Sequence, residues 1–295
     1  MVHPKFRLLS TLALLSTFAF AQAPSDPAAE LAAMKKQAEG LKYQQGEITL
    51  GDNLAKLKVP ESLRYLDPKD AEVVISDLWG NPRGQRTLGM LVPAEPGVIA
   101  PDSWGVIITF EEDGYVKDDD AAKIKYDDLL KEMKEDTKAA SEQRKKSGYP
   151  AIELIGWAAP PHYDAQTKKL YWAKELKFEG GEENTLNYNV RILGRRGVLV
   201  LNAVAGMPQL SEIEKATPTI LAAVDFNPGH RYADFNSSSD KVATYGIAGL
   251  IAGGVLAKTG VLAKLGLIFA KFAKVIIVGA VALFAVVRKM FKREA

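Results

Sequence analysis

The hydrophobic positions divide the chain into three parts: residues 1–21, 22–240 and 241–295. The first part is one apolar run behind a short basic start. The second alternates between helical and strand periodicities, with charged residues spread throughout. The third is almost wholly apolar and rich in glycine, and it ends in a basic tail. This arrangement predicts a folded body between two segments that interact with a membrane.

Residues 1–21 have the pattern of a secretory signal peptide. Lys5 and Arg7 precede the apolar run 8–20, and Ala19 and Ala21 stand at the expected cleavage site. The alternative is an uncleaved N-terminal anchor, but the run is shorter than the roughly 20 residues that cross a bilayer. We therefore predict cleavage after Ala21 and export of the rest of the chain.

The apolar segment 242–287 predicts a C-terminal membrane anchor over residues 241–295. As a helix rising about 1.5 Å per residue it would be about twice as long as one crossing requires, so it crosses twice, or crosses once and then lies along the surface. Charges are costly at the bilayer centre. We expect residues 245–262 to cross and 263–274 to lie at the inner leaflet, because the segment contains Lys258, Lys264, Lys271 and Lys274.

The partners expected for this segment follow from the same residues. Basic side chains near an apolar helix favour an anionic lipid bilayer. Gly249 and Gly253 have the small-residue spacing through which membrane helices pack, which predicts a homo-oligomer through that face. An unidentified envelope protein is the third expected partner.

The periodicity of residues 22–240 predicts an α+β fold, an antiparallel sheet with packed helices. Helices are expected after residue 24, after the Asp67-Pro68 pair and over residues 119–146, with Asp118, Asp119 and Asp120 favouring the start of the last. The strands include a hairpin over residues 46–59 and a meander over residues 170–204. Turns or breaks are expected at Pro160-Pro161 and Thr217-Pro218, and a flexible joint at residues 236–240.

The charge distribution separates the body from the anchor. Residues 22–240 hold 27 Lys and Arg against 35 Asp and Glu, a net charge of −8, whereas residues 241–295 hold nine against one, a net charge of +8. An acidic body argues against nucleic acid as a partner, because nucleic acid requires a basic face. The chain has no cysteine, which excludes disulfides, thiolate metal sites and a cysteine nucleophile.

Two groups of residues are candidates for chemistry. His230 and Asp234 could bind a metal or serve as an acid–base pair, but a structural turn explains them as well. The acidic loop, residues 111–120, is similar to a calcium loop, yet Lys123 stands where an EF-hand requires glycine. We assign no catalytic, cofactor-binding or metal residue and no cofactor. A non-enzymatic scaffold, sensor or assembly accessory is favoured; the alternative is a metal-dependent or hydrolytic enzyme using His230 and Asp234 or the acidic loop.

The chain contains several longer phrases that are distinctive: Tyr65-Leu-Asp-Pro68, Asp77-Leu-Trp-Gly-Asn-Pro82, Thr87-Leu-Gly-Met-Leu-Val-Pro93, Glu112-Asp-Gly-Tyr115, Leu170-Tyr-Trp-Ala-Lys-Glu175, Leu186-Asn-Tyr-Asn189, Leu193-Gly-Arg-Arg-Gly197 and Phe226-Asn-Pro-Gly-His-Arg-Tyr-Ala-Asp234. These phrases resemble a family of bacterial membrane-anchored proteins, the domain of unknown function number 2167. The resemblance runs from about Gln44 through the anchor. It implies an exported domain on a C-terminal anchor and no particular chemistry.

The order of long antiparallel strands and a final helix also resembles the PsbP-like fold of small exported accessory domains. The predicted signal peptide and the predicted C-terminal anchor indicate a protein of the bacterial inner membrane whose main domain lies on the periplasmic side.

Overall fold

The structure is a computed structural model that describes residues 27–79, 83–84, 86–100, 102–146 and 150–253. The predicted signal peptide (1–21) and the predicted anchor from residue 254 onward lie outside these residues, so both stay predictions. None of the helices described is long and apolar enough to cross a membrane.

A seven-stranded antiparallel sheet forms the centre of the body, in the order β3-β4-β5-β10-β9-β8-β7. Three of these strands, β8, β9 and β10, form the meander predicted over residues 170–204, and β7 adds a further strand at its edge. The strands are β3 (Leu63–Leu66), β4 (Gly89–Pro93), β5 (Gly105–Glu111), β7 (Ile152–Asp164), β8 (Lys169–Phe178), β9 (Thr185–Leu193) and β10 (Val198–Gly206).

Two small sheets and five α-helices complete the body. β1, β2 and β11 form an antiparallel sheet, and β6 pairs in parallel with β12. A π-helical turn, Val73–Leu78, extends α2. The remaining elements are α1 (Pro27–Glu39), β1 (Gly46–Leu50), β2 (Ala55–Val59), α2 (Pro68–Glu72), β6 (Tyr115–Lys117), α3 (Tyr126–Lys146), α4 (Leu210–Ala223), β11 (Val224–Phe226), β12 (Val242–Gly246) and α5 (Ile247–Ala252).

The large sheet is buried on both faces. Its front face, which carries Leu199 and Leu201, packs against the three-stranded sheet and α4. Its back face, which carries Val198 and Val200, packs against α3, β12 and α5. The β3–β5 end of the back face is covered by α1, α2 and the π-helical turn. The predicted α+β fold of an antiparallel sheet with packed helices is therefore confirmed.

Two predicted breaks do not exist. β7 continues through Pro160 and Pro161, because it is an edge strand and its register against β8 shifts between Ala159 and His162, so the two prolines lie in an irregular stretch of the ladder. Helix α4 continues through Pro218. The hydroxyl of the preceding Thr217 donates to the carbonyl of Ile213 at 2.7 Å and so supplies a side-chain bond in that turn.

The predicted start of the anchor at residue 241 disagrees with the structure, because the residues that follow it are folded as part of the body. β12 and α5 belong to the body: Ile247, Leu250 and Ile251 are all buried in the back-face core. The apolar pattern of residues 242–252 therefore reflects packing against the sheet. The prediction that a membrane crossing starts at Tyr245 is therefore wrong. α5 ends at Ala252 and is followed by the C-cap Gly253, whose φ of 113° suits glycine and whose N–H donates to the carbonyl of Gly249 at 3.0 Å.

Candidate functional site

The acidic loop holds the C-terminal segment, which we define as residues 242–253. Asp120 accepts the N–H of Ile247 at 2.9 Å and the N–H of Ala248 at 3.0 Å. These are among the amides that a helix leaves without a partner at its first turn. Gly246 lies so close to this carboxylate that a Cβ would come within 2.6 Å of it. Asp120 thus caps α5 from a distant part of the sequence.

A second carboxylate fixes the preceding strand. Asp113 accepts the hydroxyl of Tyr245 at 2.6 Å. The backbone N–H of Tyr115 donates to the carbonyl of Lys241 at 2.8 Å, where β6 and β12 meet. The parallel pairing of β6 with β12 is therefore supported by a side chain as well as by the backbone.

Asp118 ties three further elements together. It accepts the hydroxyl of Tyr163 at 2.6 Å, the ammonium of Lys168 at 2.6 Å and the hydroxyl of Tyr232 at 3.0 Å. Burial opposes ionisation of this carboxyl, but the three hydrogen bonds outweigh it and lower the pKa of Asp118. The ring of Tyr232 stacks on Tyr115 with centroids 4.3 Å apart.

The prediction that Asp118, Asp119 and Asp120 begin a helix at residue 119 is therefore wrong. α3 begins at Tyr126, because Asp118 and Asp120 are engaged with Tyr232 and with α5. The predicted flexible joint at 236–240 is also ordered: Arg195 donates to both carboxylate oxygens of Asp240, at 2.7 and 3.0 Å.

The structure places Asp234 as a cap of its own loop. Its Oδ2 accepts the N–H of Gly229 at 2.7 Å and the N–H of Arg231 at 2.9 Å. The carbonyl of His230 accepts the N–H of Arg195 at 2.9 Å, which joins this loop to the β9–β10 turn. The described part of the chain contains no group of three or more His, Asp or Glu residues that could hold a metal ion.

A polar patch that the sequence analysis missed lies on the back face of the large sheet. It consists of five polar residues on three central strands together with two tryptophans. Because directly paired residues point to the same face of a sheet, the strand registers place all seven on one side. The members are Trp157 of β7, Trp172 and Lys174 of β8, Asn187, Asn189 and Arg191 of β9, and Asn202 of β10.

The signal for this patch was present in β9. Its front-face residues, Leu186, Tyr188, Val190 and Ile192, are apolar, whereas its alternate positions are Asn, Asn and Arg. That alternation is typical of a strand with one solvated face. β9 is a central strand, and Asn187 and Asn189 are buried, so the polar residues on this face require a specific explanation.

The sequence matches one family model, described as Protein of unknown function (DUF2167), over residues 42–282. No curated protein matches it.

Solved structures similar to this chain include the solution structure of cyanobacterial PsbP from Synechocystis, with 10% identity, 63% of this chain and 92% of that chain covered, and a TM-score of 0.34. A second is LpqN of Mycobacterium tuberculosis, described as involved in cell envelope biogenesis, with 16% identity, 66% and 96% covered, and a TM-score of 0.30. The third is the Ran-binding protein Mog1p of Saccharomyces cerevisiae, with 11% identity, 67% and 100% covered, and a TM-score of 0.34. Likenesses this weak carry no argument about a ligand, a partner or a location.

Proposed function

The chain belongs to the protein family of unknown function DUF2167, and we therefore propose its role from its own residues. We propose that it is a membrane-anchored envelope protein. Its exported body acts as a non-enzymatic scaffold, sensor or assembly accessory. The body would stand on the periplasmic side of the inner membrane. A PsbP-like arrangement of its long antiparallel strands is part of the same proposal, and it rests on the element order alone.

The observation that carries the proposal is the docking of the C-terminal segment by the acidic loop. Asp113 and Asp120 hold Tyr245 and the first turn of α5, and Leu250 and Ile251 are buried. Gly253, the last residue that the structure describes, is therefore held in a fixed position on the body. The apolar, basic sequence that follows immediately would hold the body in one orientation on the membrane, which suits a protein that presents a surface to a partner.

The use of the candidate chemical groups supports a non-enzymatic role. The carboxylates of Asp113, Asp118 and Asp120 bind tyrosine hydroxyls, a lysine and helix amides, and Asp234 binds two backbone N–H groups. Four of the carboxylates that an enzyme would use for acid–base or metal chemistry thus already have structural partners.

Cysteine labelling of intact cells tests the location. The chain has no cysteine, so Lys177→Cys, on an exposed position of β8, gives a single labelling site. We expect a membrane-impermeant thiol reagent to label it after the outer membrane has been opened and the inner membrane left intact. The control is the same variant without residues 2–21, which should be labelled only after lysis. Labelling of the full chain only after lysis would reject the proposal.

A metal measurement separates this function from the enzyme alternative. We expect the purified full chain to contain no stoichiometric zinc or calcium. Stoichiometric metal that is lost in His230→Ala, with the fold retained by circular dichroism, would favour the metal-dependent enzyme instead.

A further inference from the structure

The hydrogen bonds of the polar patch run in one fixed direction. Arg191 donates from Nη2 to Oδ1 of Asn189 at 3.3 Å, and a guanidinium has no acceptor, so the oxygen of Asn189 must face it. Nδ2 of Asn189 then donates to Oδ1 of Asn187 at 2.8 Å, and Nδ2 of Asn187 donates to Oδ1 of Asn202 at 3.1 Å. The side-chain oxygens of Asn187, Asn189 and Asn202 therefore each already accept a hydrogen bond.

The unpaired groups of the patch are all donors. Among the residues that the structure describes, Nε of Arg191 and the indole N–H groups of Trp157 and Trp172 are buried and have no acceptor. Trp172 itself is only 1% exposed. Within the ranges that the structure describes, the ammonium of Lys174 makes no hydrogen bond and no ion pair. A buried donor without an acceptor is costly, so several of them in one place indicate a ligand that supplies acceptors.

The four donors lie within one small area. Trp157 and Lys174 are directly paired across β7 and β8, and Trp172 stands two residues before Lys174 on the same face. The guanidinium of Arg191 lies over the ring of Trp172, 5.1 Å from its centroid. Lys174 and Arg191 both remain partly accessible, so a ligand can reach the patch from solvent.

The charge of the patch points to an anion. Burial, and then repulsion by Arg191, lower the pKa of Lys174 to about 8, while burial also lowers the pKa of Arg191. The titratable groups that face Arg191 are Glu111, which attracts it, and Tyr245. Neither forms an ion pair or hydrogen bond with it in the described residues. Two cations that share a desolvated patch without an ion-paired carboxylate are destabilising, and an anion would offset this cost.

We propose that the polar patch is an oxyanion-binding site for a phosphate group, held by the charges of Lys174 and Arg191 and by the indole N–H of Trp172. The oxygens of a phosphate are arranged tetrahedrally and can accept hydrogen bonds from donors in several directions, whereas the two oxygens of a carboxylate lie in one plane. The phosphate could belong to a small molecule or to a lipid headgroup, which share this chemistry. The site is independent of the membrane location proposed above.

Calorimetric titration of the full chain with inorganic phosphate tests the site. The protein is kept in an uncharged detergent, and chloride holds the ionic strength constant. We expect one phosphate per chain, with binding weakened about tenfold or more in Lys174→Met, because charge-assisted hydrogen bonds are the strong ones. Lys174→Arg should retain most of the binding. Lys177→Met is the matched control on the same strand and should bind as the unaltered chain does.

A second titration identifies the source of the phosphate. Short-chain phosphatidylglycerol and phosphatidylcholine are compared below their micelle concentrations. Tighter binding of phosphatidylglycerol than of inorganic phosphate, dependent on Lys174, supports a lipid headgroup; equal or weaker binding supports a soluble phosphorylated ligand.

Equal responses of Lys174→Met and Lys177→Met to every probe would overturn the proposal, and so would the absence of any response in the unaltered chain. Circular dichroism of both variants confirms that the comparison is between folded proteins.

Discussion

The carboxylate of Asp120 accepts the backbone N–H of Ile247 at 2.9 Å, across 127 residues of sequence. Together with the bond to Ala248, this contact gives α5 a cap that its own neighbourhood lacks, because Gly246 at the N-cap position has no side chain. The start of the apolar C-terminal sequence is thereby built into the body. Several expected outcomes depend on this relationship.

Removal of the cap should destabilise the body. We expect Asp120→Ala to lower the free energy of unfolding by about 1–2 kcal/mol, the range for loss of a helix cap. Asp119→Ala is the matched control; Asp119 is exposed, so its removal should change stability by less than about 0.5 kcal/mol. Urea unfolding of both variants measures the difference. Equal effects would show that Asp120 acts only through its charge.

Truncation of a buried side chain in α5 should lower the free energy of unfolding more than loss of the Asp120 cap does. Leu250 is 4% exposed, so Leu250→Ala should destabilise the body by about 2–5 kcal/mol, as other buried leucines do. Val242 is 38% exposed, and Val242→Ala should have a much smaller effect. If residues 242–252 lay in the bilayer instead, Leu250→Ala would leave the urea unfolding of the body unchanged.

Low pH should reduce the stability that the contact between Arg195 and Asp240 gives to the loop before the C-terminal segment. The hydrogen bond from Arg195 lowers the pKa of Asp240 from 3.8 to about 2. A lowered pKa contributes stability that is present above the unfolded value and is lost as the pH falls through the folded value. The stability difference between the unaltered chain and Asp240→Asn should therefore shrink between about pH 4 and pH 2. A difference that stays constant over this range would contradict the assignment.

The polar patch should lower stability in the absence of a ligand. The pKa of Lys174 falls from 10.5 to about 8, so the folded state disfavours the charged ammonium. We expect Lys174→Met to raise the free energy of unfolding, by an amount on the order of 1–3 kcal/mol at pH 7. The gain should decrease as the pH rises from about 8 to about 10.5, where the lysine becomes neutral in both states. A destabilised Lys174→Met would mean that the ammonium has a structural role.

Local patterns predicted much of the fold. The hairpin around Gly51 and Asn53, the cap at Asp67 and the meander all depend on neighbouring residues, and all are present. The sequence could not show which distant group a carboxylate would bind. Asp118 and Asp120 were therefore assigned to the helix that follows them, although their partners lie more than 40 residues away.

The apolar C-terminal segment shows the same limitation. Ile247, Leu250 and Ile251 have a composition that fits either a lipid-facing helix or a core helix, and only the position of the sheet decides between them. The absence of a side chain at Gly249 is also required locally, because a Cβ there would lie 2.7 Å from the Cβ of Tyr245. Self-association through Gly249 and Gly253 stays a prediction. The patch at Lys174 was missed because its residues come together only when three strands align.

The acidic loop builds residues 242–253 into the body, and amide hydrogen exchange at Ile247 and Ala248, in the full chain held in detergent, is the most direct test of this arrangement. We expect protection of these two amides comparable to that of the β9–β10 ladder, and a selective reduction at both in Asp120→Asn. Exchange as fast as that of an unstructured peptide, or protection unaffected by Asp120→Asn, would show that the acidic loop does not hold this segment.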